Sequence, residues 1–253
     1  MKDLKYSCNT ENLDSELRKV FLANSNDKNA KIFQKRENKW YQLKFIFFIW
    51  LSVLKIPHYT VMGMLWYETY LFDEDFAGKI LRGKKGKMLD IGAWNGSITE
   101  KFIPYIEHIS CIEPSLSFQS ILRKKWFHIT QYDTWENYDI ITIFNVFDVC
   151  SHPDILLKNA LRKLAKNGTM IISLPFPIQS RSWDENIKKT NHLEQDKKRD
   201  FENTVSDFYK NFLLKHDLKV ISFSRLPYIV SLPESRHPSV YDNGLFVCQK
   251  ISN

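Results

Sequence analysis

The chain has 253 residues, 43% hydrophobic and 26% charged, so it is long enough to bury a full core and too apolar for a disordered segment or a fibre. Lysine and arginine number 36 against 29 aspartates and glutamates, a net charge of +7, which a solvated surface accommodates without a nucleic-acid partner. Cys8, Cys111, Cys150 and Cys248 are scattered, with no C-x-x-C pair and no histidine pair at ligand spacing. That argues against a metal site and a disulfide framework, and for a reduced, intracellular, cytoplasmic chain, with endomembrane or mitochondrial association left open. Glycine is scarce, 8 in 253 residues and less than half the usual ~7%, so each one is worth locating.

Met1–Thr10 is polar and carries no secretory signal. Glu11–Leu22 sets Leu13, Leu17, Val20 and Phe21 at helical spacing, and Ile32–Leu54 continues as a helix until Pro57. Its most apolar run, Phe45–Leu54, is ten residues, far short of the ~20 a membrane span needs. Residues 1–82 read as an N-terminal helical layer packed on the core, and Gly83-Lys84-Lys85-Gly86 opens the second part, 83–253. Seven apolar runs follow as strands: Lys87–Ala93, Ile109–Glu113, Phe127–Tyr132, Tyr138–Asn145, Thr169–Leu174, Lys219–Ser224 and Gly244–Cys248. Helical patterns at Ser115–Lys125, Pro153–Ala165 and Phe201–Phe212 lie between them. Strand alternating with helix predicts an α/β fold, a doubly wound, mostly parallel, seven-stranded sheet. Leu226–Tyr241, long and proline-containing, is expected to form a lid or a hairpin arm.

The most informative stretch is Leu89-Asp90-Ile91-Gly92-Ala93-Trp94-Asn95-Gly96-Ser97, where a strand is expected to pass into a helix. Glycines there let the backbone approach a ligand, and a helix N-terminus offers free N–H groups. It is not the dinucleotide pattern G-x-G-x-x-G. Its spacing, an acid two residues before the first glycine, resembles the first-strand motif of S-adenosylmethionine methyltransferases, with Trp94 in place of the middle glycine. Glu113, 21 residues beyond Gly92, ends the second strand, where a carboxylate can accept hydrogen bonds from ribose hydroxyls, with a helix N-terminal charge before Pro114 as the alternative. Asp133, after the third strand, is a candidate for the adenine amino group, with a solvated loop residue as the alternative. Asn145 and Asp148 lie at the end of the fourth strand, near the switch point where open α/β sheets bind ligands, with a turn residue and a helix cap as the respective alternatives. The segment is not the [D/N]-P-P-[Y/F/W] signature of nucleic-acid amino-methyltransferases, so nucleic acid is not the expected substrate. Asn95-Gly96-Ser97 and Asn167-Gly168-Thr169 match the glycosylation acceptor pattern but fall in structural turns.

Tyr6-Ser7-Cys8-Asn9, Trp50-x-x-Val53-x-Lys55, Tyr59-Thr60-Val61, Asn145-x-x-Asp148-x-Cys150, Leu174-Pro175-Phe176 and Ser224-Arg225-Leu226-Pro227-Tyr228 add to the cofactor strand. In that order they resemble the DREV family, also called methyltransferase-like protein nine, nearly end to end. The resemblance implies transfer of a methyl group from S-adenosylmethionine to Nδ1 of histidine in His-x-His stretches of other proteins. It implies a cofactor site of Asp90, Gly92, Gly96, Glu113, Asp133 and Asn145, and catalytic roles for Asp148, Asn145 and Tyr228, with Tyr228 brought over on a turn at Pro227.

Two departures stand out. The family's G-x-G-D-G is here Gly92-Ala93-Trp94-Asn95-Gly96, placing an indole where the backbone is expected at positive φ, and a Gly-Arg-Gly-Ser loop is replaced around Trp66-Tyr67-Glu68-Thr69. A catalytically inactive binding module and a small-molecule or RNA methyltransferase are the alternatives. The basic stretches Lys31–Lys44 and Lys188–Arg199 suit a solvated face, an anionic membrane surface in peripheral contact, or acidic flanks of a substrate.

Overall fold

Four of the five residues in Lys87–Ile91 are buried in succession, a pattern that only a strand covered on both faces accommodates. That strand lies inside the sheet of the computed structural model, which describes residues 4–24, 27–54, 61, 65, 68–132, 136–179, 191–232 and 235–251. The strands are β1 (Glu68–Tyr70), β2 (Lys87–Ile91), β3 (His108–Ile112), β4 (His128–Ile129), β5 (Tyr138–Phe144), β6 (Leu164–Pro175), β7 (Leu218–Ser231) and β8 (Ser239–Lys250). They form one sheet in the order β1-β7-β8-β6-β5-β2-β3-β4. β2 to β6 are mutually parallel, while β8, β7 and β1 run antiparallel to their neighbours. The seven expected strands are present, and the eighth, β1, is an added three-residue edge strand.

Alternate residues of the central strands feed two cores, as the period of two requires. Leu89, Ile91, Ile141 and Ile143 pack on one face with Leu157 and Ala160 of α6 (Pro153–Lys163), and with Val205 and Phe208 of α7 (Phe201–Phe208). Met88, Ile140 and Phe144 face the other side, against Phe76 and Ile80 of α4 (Glu74–Leu81) and Phe118 of α5 (Leu116–Lys124). α4 and α7 start on aspartate caps, Asp73 and Asp200, whose side chains accept from Phe76 and Asn203 N–H.

Several boundaries differ from the sequence expectation. Glu11–Leu22 forms only α1 (Ser15–Lys19), after which Phe21 bridges to Phe223 as extended chain. Ile32–Leu54 is two helices, α2 (Lys28–Gln34) and α3 (Tyr41–Val53), because the intervening Asn38 donates its N–H to Arg236 O and Glu37 pairs with Arg236. The third strand shrinks to His128–Ile129, β6 begins already at Leu164, and α7 widens after Phe208 into a π turn at Tyr209–Leu213. The segment Leu226–Tyr241 is a hairpin arm, formed by the outer halves of β7 and β8.

Arg225 on β7 ties the N-terminal layer to the sheet. Its guanidinium meets Glu202 Oε1 at 3.2 Å, Asp242 Oδ2 at 3.2 Å and Ser7 O at 3.2 Å, and lies 4.1 Å above the Phe201 ring. Glu202 also accepts the Asn9 N–H at 2.8 Å. Removing one partner of a buried pair strands the other charge, so Arg225→Ala is expected to lower stability by about 3–5 kcal/mol, read as a shifted urea midpoint.

Candidate active site

The site begins where β2 ends. Gly92 takes φ +79°, and a Cβ there would lie 2.5 Å from Val146 Cγ2, so the chain passes directly against the loop after β5. Trp94 follows at φ +51°, a left-handed conformation costly for an aromatic residue, and Gly96 at φ +74°. Glu113, at the end of β3, holds this turn: one carboxylate oxygen accepts the Trp94 N–H at 2.9 Å and the other the Ser115 N–H at 2.8 Å. The indole stacks on Phe118, centroids 5.9 Å apart and planes parallel to within 1°. The helix expected after the turn is a single 3₁₀ turn, Thr99–Phe102, because Pro104 follows and supplies no N–H. A long helix dipole is therefore not among the groups facing the site.

Asp90 sits beneath the turn with both carboxylate oxygens occupied, accepting from Thr99 Oγ1 at 2.5 Å and Thr142 Oγ1 at 2.7 Å. Burial pushes its pKa up to about 6, against the opposing effect of the two hydroxyls.

Asn145 ends β5 at φ +55°, a conformation asparagine tolerates. Its N–H donates to Ser173 O, and its Oδ1 accepts from Asn243 Nδ2 at 2.6 Å. Its Nδ2 is buried without a hydrogen-bond partner. Asn145, Gly92, Trp94 and Tyr228 line one small cavity of about 20 Å³, with Thr69 and Ser97 at its rim. Thr69 Oγ1 and Ser97 Oγ are hydrogen-bonded at 2.9 Å, and the same two residues line an open polar groove of about 590 Å³ beyond it.

Asp90, Gly92, Asn145 and Tyr228 are thus brought together, with Gly96 and Glu113 shaping the turn. Asp148 is buried, three residues past Asn145, in the loop whose Phe147 O accepts from Asn191 Nδ2. Asp133 lies outside the described residues, as do Trp66 and Tyr67 of the altered upstream loop. Tyr228 reaches the cavity from within β7 rather than from a turn. β1 pairs no further than Ile229, so β7 is an edge strand at Pro227, where a strand accommodates a proline. Sequence reading missed Thr99, Thr142 and Asn243; Thr142 was signalled by one polar residue inside an apolar run, Asn243 by nothing local.

Among the described residues no group of three histidine, cysteine or acidic side chains is arranged to hold a metal ion, and no helix is long and apolar enough to cross a membrane.

A central parallel sheet with a glycine turn and an acid at its switch point is the architecture of a class I, Rossmann-like methyltransferase. The model of the DREV methyltransferase family matches residues 5–241, and the chain belongs to that family. Among solved structures it is similar to a protein described as an RNA methyltransferase from Pyrococcus horikoshii, at 11% identity, 77% of this chain, 84% of that chain and a TM-score of 0.50. It is also similar to the N-methyltransferase NodS of Bradyrhizobium japonicum, in complex with S-adenosyl-L-homocysteine, at 17% identity, 70% of this chain, 85% of that chain and a TM-score of 0.48. A type 11 methyltransferase from Sulfolobus solfataricus compares at 17% identity, 71% of this chain, 92% of that chain and 0.47. These likenesses concern the fold alone.

The protein is a methyltransferase, with S-adenosylmethionine as its methyl donor. The residues present fit that donor: a left-handed glycine turn, a carboxylate at the end of β3, and the unpartnered Nδ2 of Asn145.

Because Asp90 titrates higher folded than unfolded, the native state holds the extra proton between pH ~4 and about 6, and stability falls as pH rises through that window. Asp90→Asn is expected to lack this component, so urea midpoints of the two proteins plotted against pH should converge or diverge only there.

Proposed function

We propose that the chain methylates Nδ1 of histidine in His-x-His stretches of other proteins. What carries the reading is the family match through residues 5–241 together with the Asn145-x-x-Asp148 segment beside the glycine turn, with Tyr228 in the same cavity wall. S-adenosylmethionine, when bound, supplies an electrophilic methyl group on a sulfonium sulfur. Gly92, Gly96 and Glu113 are the residues that would hold it, the Glu113 carboxylate being of the type that accepts hydrogen bonds from ribose hydroxyls. Asp90 acts from below by fixing the strand end. Thr69 and Ser97 are where the cavity meets the larger groove.

Neutral imidazole carries one N–H and one lone pair, and the nitrogen with the lone pair is the nucleophile. Asp148 accepts the Nε2–H of the substrate ring, which leaves Nδ1 free to attack and places a carboxylate beside the positive charge that develops on the ring. After transfer the Nε2 proton leaves the imidazolium. Asn145 Nδ2 and Tyr228 hold the reacting groups in line. Positioning contributes most of the acceleration, worth roughly 7–11 kcal/mol in well-oriented reactions.

Asp148→Ala is expected to lower the rate on a His-x-His peptide about a hundredfold or more while S-adenosylhomocysteine still binds. Mass spectrometry that separates π- from τ-methylhistidine reads the product; undiminished transfer, or methyl entering RNA or imidazole dipeptides in preference, overturns the assignment. Glu113→Ala is expected to weaken S-adenosylhomocysteine binding about tenfold in titration calorimetry. A second reading, a binding module that has lost catalysis, draws on the strained Trp94; absence of binding heat in the folded wild type would favour it.

A further inference from the structure

Helix α3 leaves most of its apolar side chains in solvent. Ile46 is 63% exposed, Trp50 55% and Val53 73%, with Phe45, Phe47 and Ile49 open as well. Leu51 is its buried residue among those described, and it packs on Phe48, Val61 and Leu65, apart from both large cores. At about 100° per residue, positions 45, 46, 47, 49 and 50 sweep through more than half the circumference of the helix. A protein groove covers one stripe of a helix; hydrocarbon covers all sides. Thirteen residues reach about 20 Å, less than the ~30 Å of a bilayer's apolar layer. The segment leading in, 28–44, carries five lysines and one arginine against a single glutamate, and Glu37 is held by Arg236. Two copies meeting through this face would bring like charges together, whereas an anionic lipid surface complements them. Trp40, exposed at the entrance, and Trp50 are of the residue type that favours the headgroup level.

We propose that α3 seats the protein in one leaflet of an anionic bilayer, with the lysines of residues 28–44 at the headgroups. The proposal is independent of the methyl acceptor.

Co-sedimentation of the full chain with large unilamellar vesicles tests it. Vesicles of phosphatidylcholine with phosphatidylserine are expected to retain about tenfold more protein than phosphatidylcholine alone, and less as salt rises. The double variant Ile46→Asp with Trp50→Asp, both solvent-exposed, is expected to remain in the supernatant with an unchanged unfolding temperature. Lys35→Glu with Lys39→Glu should abolish the preference for phosphatidylserine while leaving the apolar contact. Failure of the wild type to sediment, equal retention by both vesicle types, or equal binding of the double aspartate variant overturns the proposal. So does a dimer in light scattering that the double aspartate variant dissolves, which would assign the face to a second copy.

Discussion

Everything at the site depends on a turn that alternates in and out of left-handed backbone at Gly92, Trp94 and Gly96. Two of these positions are glycine and bear the conformation without penalty; Trp94 does not, and a bulky residue there costs of order 1–3 kcal/mol. The surroundings explain why it persists. Glu113 accepts the Trp94 N–H, Phe118 stacks on the indole, and Asp90 anchors the preceding strand through Thr99 and Thr142. Gly92 in turn admits Val146, and that close approach sets where Asn145, itself left-handed, stands at the end of β5. Both walls of the crevice are therefore fixed by backbone conformations that their packing enforces.

How far this could be read from residues alone divides along physical lines. The central strands were legible because a strand buried on both faces is apolar along most of its length, as Tyr138–Phe144 is apart from Asp139 and Thr142. The helices at 116–124 and 153–163 announced themselves by period and by Pro153 in the first turn. Gly92, Asn145 and Tyr228 line one cavity, Tyr228 from within a strand rather than from the expected turn, and the positive φ of Trp94 follows from a glycine position kept without its glycine. β1 was not legible, since three residues have no period to detect. The break between α2 and α3 was hidden for another reason: its contacts come from Arg236, some two hundred residues away. The Asn145–Asn243 pair is of the same kind, set by the register of β8 rather than by any local signal.

Asp90 shows how a residue type can be right and its task different from the obvious one. An acid near a glycine turn suggests direct contact with a ligand, yet both its oxygens accept threonine hydroxyls, and burial raises its pKa. Its carboxylate is spent on holding β2 and β5 together at the level of the turn. Glu113 is placed differently: its two oxygens each accept one backbone N–H, one from the turn and one from the residue after Pro114.

The N-terminal layer is more than a cover for the sheet, and β1 is the reason. Glu68 holds Arg36 of the α2–α3 connection, Thr69 bonds Ser97 of the glycine turn, and the Tyr70 hydroxyl donates to Asp27, the residue that caps α2. Three consecutive residues thus bind the basic layer to the cavity rim. α2 lines the groove on the other side of that rim through Asn29 and Phe33, so its position and the width of the groove are one variable. A strand too short to be seen in sequence thus joins the N-terminal helices to the turn at Ser97, through the hydrogen bond between Thr69 and Ser97.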